Sequence, residues 1–544
     1  MKFPWLELAL TGFGATAGEA EVDEKVHNVA VIAGSSTAYY LSRFAETLPT
    51  NAPALNITIF EKTDRVGGRS LTVSAPSGQP VELGASIFIT KNEILLNATR
   101  DFDLALGNLR EGSPGDITAI WDGQEFVYQT TDGESWWWDV GKMFWRYGMS
   151  PYRAVNLVKD TVGRFLELYE EHNFPFRSLS AKVYELGLVK QTGITGSELL
   201  KQKNVRHMVS CNDAERTDKK QIDEKFARHI IQAATRVNYA SNLAFIHGVE
   251  AMVSFATEGA VSVEGGNWQI FDKMVQSSGA TLHRNTSVTS ISRPKQDGKY
   301  FVSTKIDGSA SAAEAYSIGF DEVVIAAPWQ FSQITTDASV LRHKIEEVPY
   351  TKLHVTLFTS PYRLHPQFFG LAPGAKAPSN VYTTLSEDET PASGADGVGR
   401  TGFYSISTLK TTNNPNTGRL EFVYKIFSAE AISPAFLSSV LGTAVPDSFT
   451  GDKSPISWYH PAWFHSYPIE LPRVTFQDPV VGDGVWYTGG IESFISTMET
   501  SALMGMNVAK LIVDEVGSFP QKGGEDKVAE DMYGKGADGP GDEL

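Results

Sequence analysis

The stretch HNVAVIAGSSTAYYLSRF, residues 27–44, restricts the folds open to this chain more than any other. Val29 to Ile32 is an apolar run of the length of a buried strand, and Ser36 to Phe44 reads as a helix. Asn56 to Phe60 reads as a second strand and ends at Glu61. A strand, a helix and a second strand closed by an acid open a dinucleotide-binding βαβ unit, in which the terminal carboxylate accepts hydrogen bonds from ribose hydroxyls. The spacing from Gly34 to Glu61 is longer than the usual ~20 residues, and the PTNAPAL loop takes up the excess. A surface glutamate at a strand end is the plain alternative. The turn itself is short: only Ala33 and Gly34 stand where G-x-G-x-x-G is expected.

The residues just past Glu61 decide between these readings. RVGGRS, residues 65–70, sets two glycines and a second arginine close behind the acid. Paired glycines let backbone approach a phosphate, and arginine offers it forked donors. VELGASIF then supplies Gly84 and Ala85, small enough for backbone to lie against a flat ring.

Residues 25–110 therefore read as the first part of a nucleotide-binding domain, after a leader over 1–24. Residues 111–255 read as mainly helical, with an aromatic run, ESWWWDVGKMFWRYG, that suits core, an apolar cavity or a membrane-facing surface. The segment 256–334 returns to α/β rhythm. Over 335–474, TKLHVTLFTS and RLEFVYKIFS alternate as antiparallel strands do. Residues 475–517 close the fold with a strand, a Gly-Gly turn and a long helix. The tail over 518–544, rich in glycine and acids, is expected to be disordered. The fold class is thus α/β: a Rossmann-like domain built from discontinuous segments, plus a substrate domain with a mixed or antiparallel sheet and helices.

A formal charge of −17 argues against nucleic acid as a partner. Cys211 is the single cysteine, so no internal disulfide forms, and its polar surroundings lack the flanking of known catalytic cysteines. No metal site is expected. The N-terminal MKFPWLELALTGFGATAGEA fits a secretory signal or a disordered leader, Glu7 counting against the former. Sequons at Asn56, Asn97 and Asn285 are compatible with secretion and glycosylation. No apolar stretch reaches the ~20 residues of a spanning helix, which leaves peripheral membrane contact. The terminal GDEL only loosely resembles an ER-retrieval signal.

FEKTDRVGGRS, ELGASIFI, GGNWQIFDKM and ISTMETSALMGMNVA, in that order, resemble the FAD-dependent amine-oxidase-like flavoproteins, and within them the prenylcysteine oxidase (prenylcysteine lyase) family, over roughly residues 27–515. The resemblance implies FAD as cofactor. It implies that Glu61, with Lys62 beside it, holds the adenosine ribose, that Gly68 and Arg69 lie near the pyrophosphate, and that Gly84, Ala85 and Ser86 lie beside the flavin. It implies that Val288 meets the adenine through its backbone, and that Gly489, Gly490, Thr497, Met498 and Glu499 close over the flavin. Gly34 matches the third glycine of the family turn, which serves helix–strand packing, and about four residues before it have no counterpart. Either those residues were lost from the sequence, for instance at a misplaced exon boundary, or this chain binds FAD poorly.

The activity implied is oxidation of the thioether of farnesyl- or geranylgeranylcysteine by molecular oxygen, giving a prenyl aldehyde, free cysteine and hydrogen peroxide in a lysosome- or vacuole-like compartment. Hydride transfer demands no strong base, and no catalytic residue is assigned. His354 faces the substrate or is satisfied within its strand. The rivals are another FAD-dependent amine oxidase or polyene desaturase, an FAD-less prenyl-binding pseudoenzyme motivated by the short turn, and a scaffold.

Overall fold

β1 (Val26–Ile32) is buried along Val29–Ile32 because it lies inside a parallel sheet covered on both faces. The computed structural model describes residues 26–108, 116–130, 136–202, 222–295, 298–309, 313–451 and 453–518. The leader, Cys211 and the tail beyond Ser518 lie outside the described residues. β1 pairs in parallel with β2 (Ala54–Phe60) on one side and with Glu322–Ile325 on the other. Thr281–His283 extends the sheet beyond β2, and Val485–Tyr487 extends it in parallel beyond Glu322–Ile325. Val480–Gly482 adds an antiparallel edge. This six-stranded sheet draws its strands from residues 26–60, 281–325 and 480–487, so distant segments build one nucleotide-binding layer.

The short turn is closed by a direct bond: Ala33 N donates to Phe60 O at 3.0 Å, with Ala33 in the left-handed region at φ 61°. α1 (Ser35–Ala45) starts at once. A Cβ on Gly34 would lie 2.7 Å from Val31 Cγ1, so the glycine permits the close packing of helix and strand. α1 rests on the last helix, Met498–Ser518, where Ser36 Oγ donates to Ala502 O at 3.1 Å.

A four-stranded sheet joins Thr286–Ser292 to Phe301–Ile306 and two short strands. The larger sheet has seven strands in the order Trp458–Pro468, Tyr350–Ser360, Leu420–Ser428, Ser405–Asn413, Asn380–Thr383, Thr118–Trp121 and Phe126–Gln129. It is antiparallel except where Asn380–Thr383 meets Thr118–Trp121. Helices Ser150–Leu166, Gln232–Tyr239 and Gly248–Phe255 form a layer beside it.

One expectation needs correction. The region read as mainly helical begins with the hairpin Thr118–Gln129, which belongs to the seven-stranded sheet. Its turn is built on Asp122, whose Oδ1 accepts from Gln124 N and Glu125 N, with Gly123 at φ 93°. This Asp-Gly turn is a local hairpin signal, and the neighbouring aromatic run masked the pattern.

Candidate functional site

The C-terminal ends of the parallel strands, where open α/β sheets bind ligands, face a cavity of about 1640 Å³. One half is lined by Ala33 to Thr37, Glu61, Lys62, Gly68, Arg69 and Gly84 to Ser86. The other lies between the helical layer and the seven-stranded sheet, with Ile120, Tyr128, Val162, Phe165, Tyr382 and Phe427 on its walls. The volume exceeds the ~300–1,000 Å³ of an ordinary small-molecule pocket.

The nucleotide-suited half is shaped by backbone. α1 opens with no side-chain cap at Gly34, and its first turn, Ser35 to Thr37, lines the cavity, an arrangement suited to an anion. Thr37 Oγ1 is buried there without a partner. Glu61 Oε1 accepts from Thr63 N at 2.9 Å and Thr63 Oγ1 at 2.7 Å, which fixes the carboxylate at the strand tip. Lys62 stands beside it, exposed.

The GGRS loop and the Gly84–Ser86 segment touch backbone to backbone. Ala85 N donates to Arg69 O at 3.1 Å, and a Cβ on Gly84 would fall 1.8 Å from that oxygen. Gly68, at φ 55°, has open space where a side chain would stand. The Arg69 guanidinium pairs with Glu492 at 2.7 Å and donates to Ser466 O at 2.6 Å, joining this loop to the far side of the cavity.

On the last helix, Thr497 and Met498 line the cavity, and Thr497 Oγ1 accepts from Thr500 N at 3.1 Å as a cap. Glu499 also borders it, but its carboxylate turns to another helix. Oε1 accepts from Ile94 N and Tyr169 Oη at 2.9 Å each, and Oε2 accepts from Leu95 N at 3.0 Å, capping Glu93–Asp101. Burial raises its pKa to about 7. Gly489 is on the wall.

Two sequence-predicted residues stand off the wall. Val288 is buried with Ala30, Ile32 and Phe60, and Gly490 is packed where a Cβ would lie 2.3 Å from Gln477 O. His354 lies off it too, in the strand between Ser428 and Trp463.

Sequence reasoning missed Lys425. Its strand, Leu420–Ser428, carries it onto the cavity floor, where Nζ donates to Ser86 Oγ and Glu82 O at 2.9 Å each. Burial lowers its pKa to about 8, the nearby Glu82 opposing the shift. Glu82 is itself raised to about 7 by burial, against the pull of Asn267 N and of Lys425, and its Oε2 is buried without a partner. Alternation of EFVYKIFS was the available signal, because it sets Lys425 on the same face as Val423 and Phe427. Elsewhere in the interior, His247 Nε2 stands 3.4 Å from Glu470 Oε2 with both side chains inaccessible.

A Rossmann-like sheet of scattered segments opening on an apolar chamber is a fold class that this chain shares with solved amine oxidases. The segment 30–101 matches the NAD(P)-binding Rossmann-like domain model. Putrescine oxidase with bound putrescine superposes with a TM-score of 0.53 at 12% identity, over 90% of this chain and 99% of that one. Cyclohexylamine oxidase from Brevibacterium oxydans gives 0.52 at 14%, over the same shares.

Within that class, residues 130–522 match the prenylcysteine lyase family model, and the chain belongs to this family. Farnesylcysteine lyase of Arabidopsis thaliana is 26% identical over 89% of this chain and 86% of its own length. Prenylcysteine oxidase 1 of Bos taurus is 27% identical over 91% and 90%.

Proposed function

We propose that this chain is an FAD-dependent thioether oxidase that cleaves S-prenylcysteine to a prenyl aldehyde and free cysteine, with molecular oxygen as acceptor. The single observation that carries the reading is the continuity of the cavity, from the uncapped start of α1 and Glu61 to the apolar chamber.

The residues fit the cofactor. The first turn of α1 would hold its phosphates, Glu61 its ribose, and the close-packed Gly84–Ser86 backbone its flat ring. Bound there, FAD supplies the hydride acceptor and the route of electrons to oxygen. Everything else falls to the protein and the substrate. The prenyl chain is oriented by Ile120, Val162, Phe165 and Tyr382. The carbon that gives up hydride is bonded to sulfur and is allylic, so its positive charge is stabilised twice. Water adds to it and releases one proton, and the hemithioacetal collapses to aldehyde and thiol. Lys425 in its neutral form is the acceptor for that proton, because it is the buried lysine on the cavity floor.

The test is an absorbance scan of the purified protein, followed by anaerobic addition of S-farnesylcysteine. A yellow protein that bleaches on substrate supports the reading. A colourless one that binds farnesylcysteine favours a prenyl-binding protein without FAD, the reading motivated by the short Ala33–Gly34 turn.

A further inference from the structure

The helices Trp136–Tyr147 and Ser150–Leu166 present large apolar side chains to solvent. Trp145 is 91% exposed, Tyr152 55%, and Trp138 and Met149 49% each. Phe144 and Val155 widen the patch. Such a cluster on a folded surface marks a contact. Its charge identifies the partner. Between residues 136 and 164 stand Lys142, Arg146, Arg153, Lys159 and Arg164; Asp139 and Asp160 pair with Lys142 and Arg164, which leaves a net positive charge in a chain whose formal charge is −17. Aromatic rings interleaved with basic side chains match a lipid headgroup layer of negative charge. A second copy of the chain would oppose two basic faces.

We propose that this aromatic, basic face docks the protein on an anionic membrane surface. Its position gives the contact a use. Val162 and Phe165, at the far end of the helix that exposes Tyr152 and Val155, line the apolar half of the cavity. Tyr128 also lines it and lies close enough to Asp139 to feel its charge. A prenylated amino acid partitions into lipid, so a docked protein meets it beside its own binding chamber. This delivery rests on the proposed function; the docking does not.

The experiment sediments the full chain with vesicles of phosphatidylcholine alone and with added phosphatidylserine. Association that needs phosphatidylserine and weakens with salt is expected. Arg146→Gln and Lys159→Gln should each weaken it about five-fold, and the Trp145→Ser, Phe144→Ser double variant should abolish it with unchanged circular dichroism and Tm. On micellar S-farnesylcysteine that double variant should keep wild-type kcat/KM, while turnover of vesicle-borne substrate falls. Wild-type sedimentation that ignores phosphatidylserine overturns the proposal. So does a lipid-free dimer that the same double variant dissociates, which would assign the face to a second copy. Phosphatidylserine-dependent docking without turnover of any prenylcysteine leaves the proposal standing and removes the proposed function instead.

Discussion

Lys425 Nζ donates a hydrogen bond to Ser86 Oγ at 2.9 Å, joining the substrate-domain sheet to the segment where the family resemblance lays the flavin. An ammonium in that position is confined by burial, and its second acceptor is the Glu82 carbonyl rather than a carboxylate. The cavity thus holds a lysine that changes charge near pH 8.

Turnover should therefore rise as pH climbs through about 8, where Lys425 becomes a proton acceptor. Lys425→Met is expected to lower kcat by roughly 10²–10⁴ and to remove that limb of the profile, while the flavin absorbance persists. A variant that keeps the wild-type pH profile would reduce Lys425 to a packing role.

The turn before α1 offers a gain of stability. Ala33 sits at φ 61°, a conformation that costs an L-residue about 1–2 kcal/mol and glycine almost none. Ala33→Gly gives some of this back as unfolded-state entropy, so the expected net is about 0.5–1 kcal/mol in favour of the variant. Differential scanning calorimetry reads it as a higher Tm, and an unchanged or lower Tm refutes it.

Gly505 is where the last helix meets α1. A Cβ there would stand 2.1 Å from Ser36 Oγ and 3.0 Å from Thr37 N. Neither neighbour yields easily, since Ser36 is bonded to Ala502 O and Thr37 N belongs to backbone. Gly505→Ala should cost about 1–3 kcal/mol in urea unfolding and loosen FAD by tilting the start of α1. A variant of native stability and native FAD affinity would mean that the two helices are not held at that distance.

How much of the fold and site was legible in the sequence depended on how local each signal was. The β1–α1–β2 unit and its terminal Glu61 could be read because apolar runs, helical spacing and the acid all lie within one short stretch. The Gly84–Ser86 segment was visible as small residues, but its contact with Arg69 O is made by tertiary packing. Lys425 was hidden for the opposite reason. A lysine in a strand ordinarily marks the solvent face, and only the segment from Leu71 to Ser86, far away in the chain, covers this sheet face and turns the lysine inward. Glu499 was set over the cofactor by the family resemblance, although the helix it caps, Glu93–Asp101, lies some 400 residues earlier.

That cap gives stability a specific pH dependence. The folded pKa of Glu499 is raised to about 7 from 4.5, chiefly by burial, with the N–H groups of Ile94 and Leu95 and the Tyr169 hydroxyl acting against it. Its stabilising contribution is therefore fully present below 4.5 and is lost as pH rises through 7. Glu82 shifts the same way, whereas His247, held to about 3, and His229, held to about 4, lose stability as pH falls below 6.5. The whole-protein curve mixes these groups, but a comparison of Glu499→Gln with the parent isolates one. Glutamine stays uncharged, although its NH2 cannot accept the bond that Ile94 N or Leu95 N donates, so the variant carries a constant offset and its stability relative to the parent should rise by up to about 3 kcal/mol between pH 4 and pH 8. Urea unfolding of both proteins across that range decides it: parallel curves would mean that Glu499 ionises in the folded protein as it does in the unfolded chain.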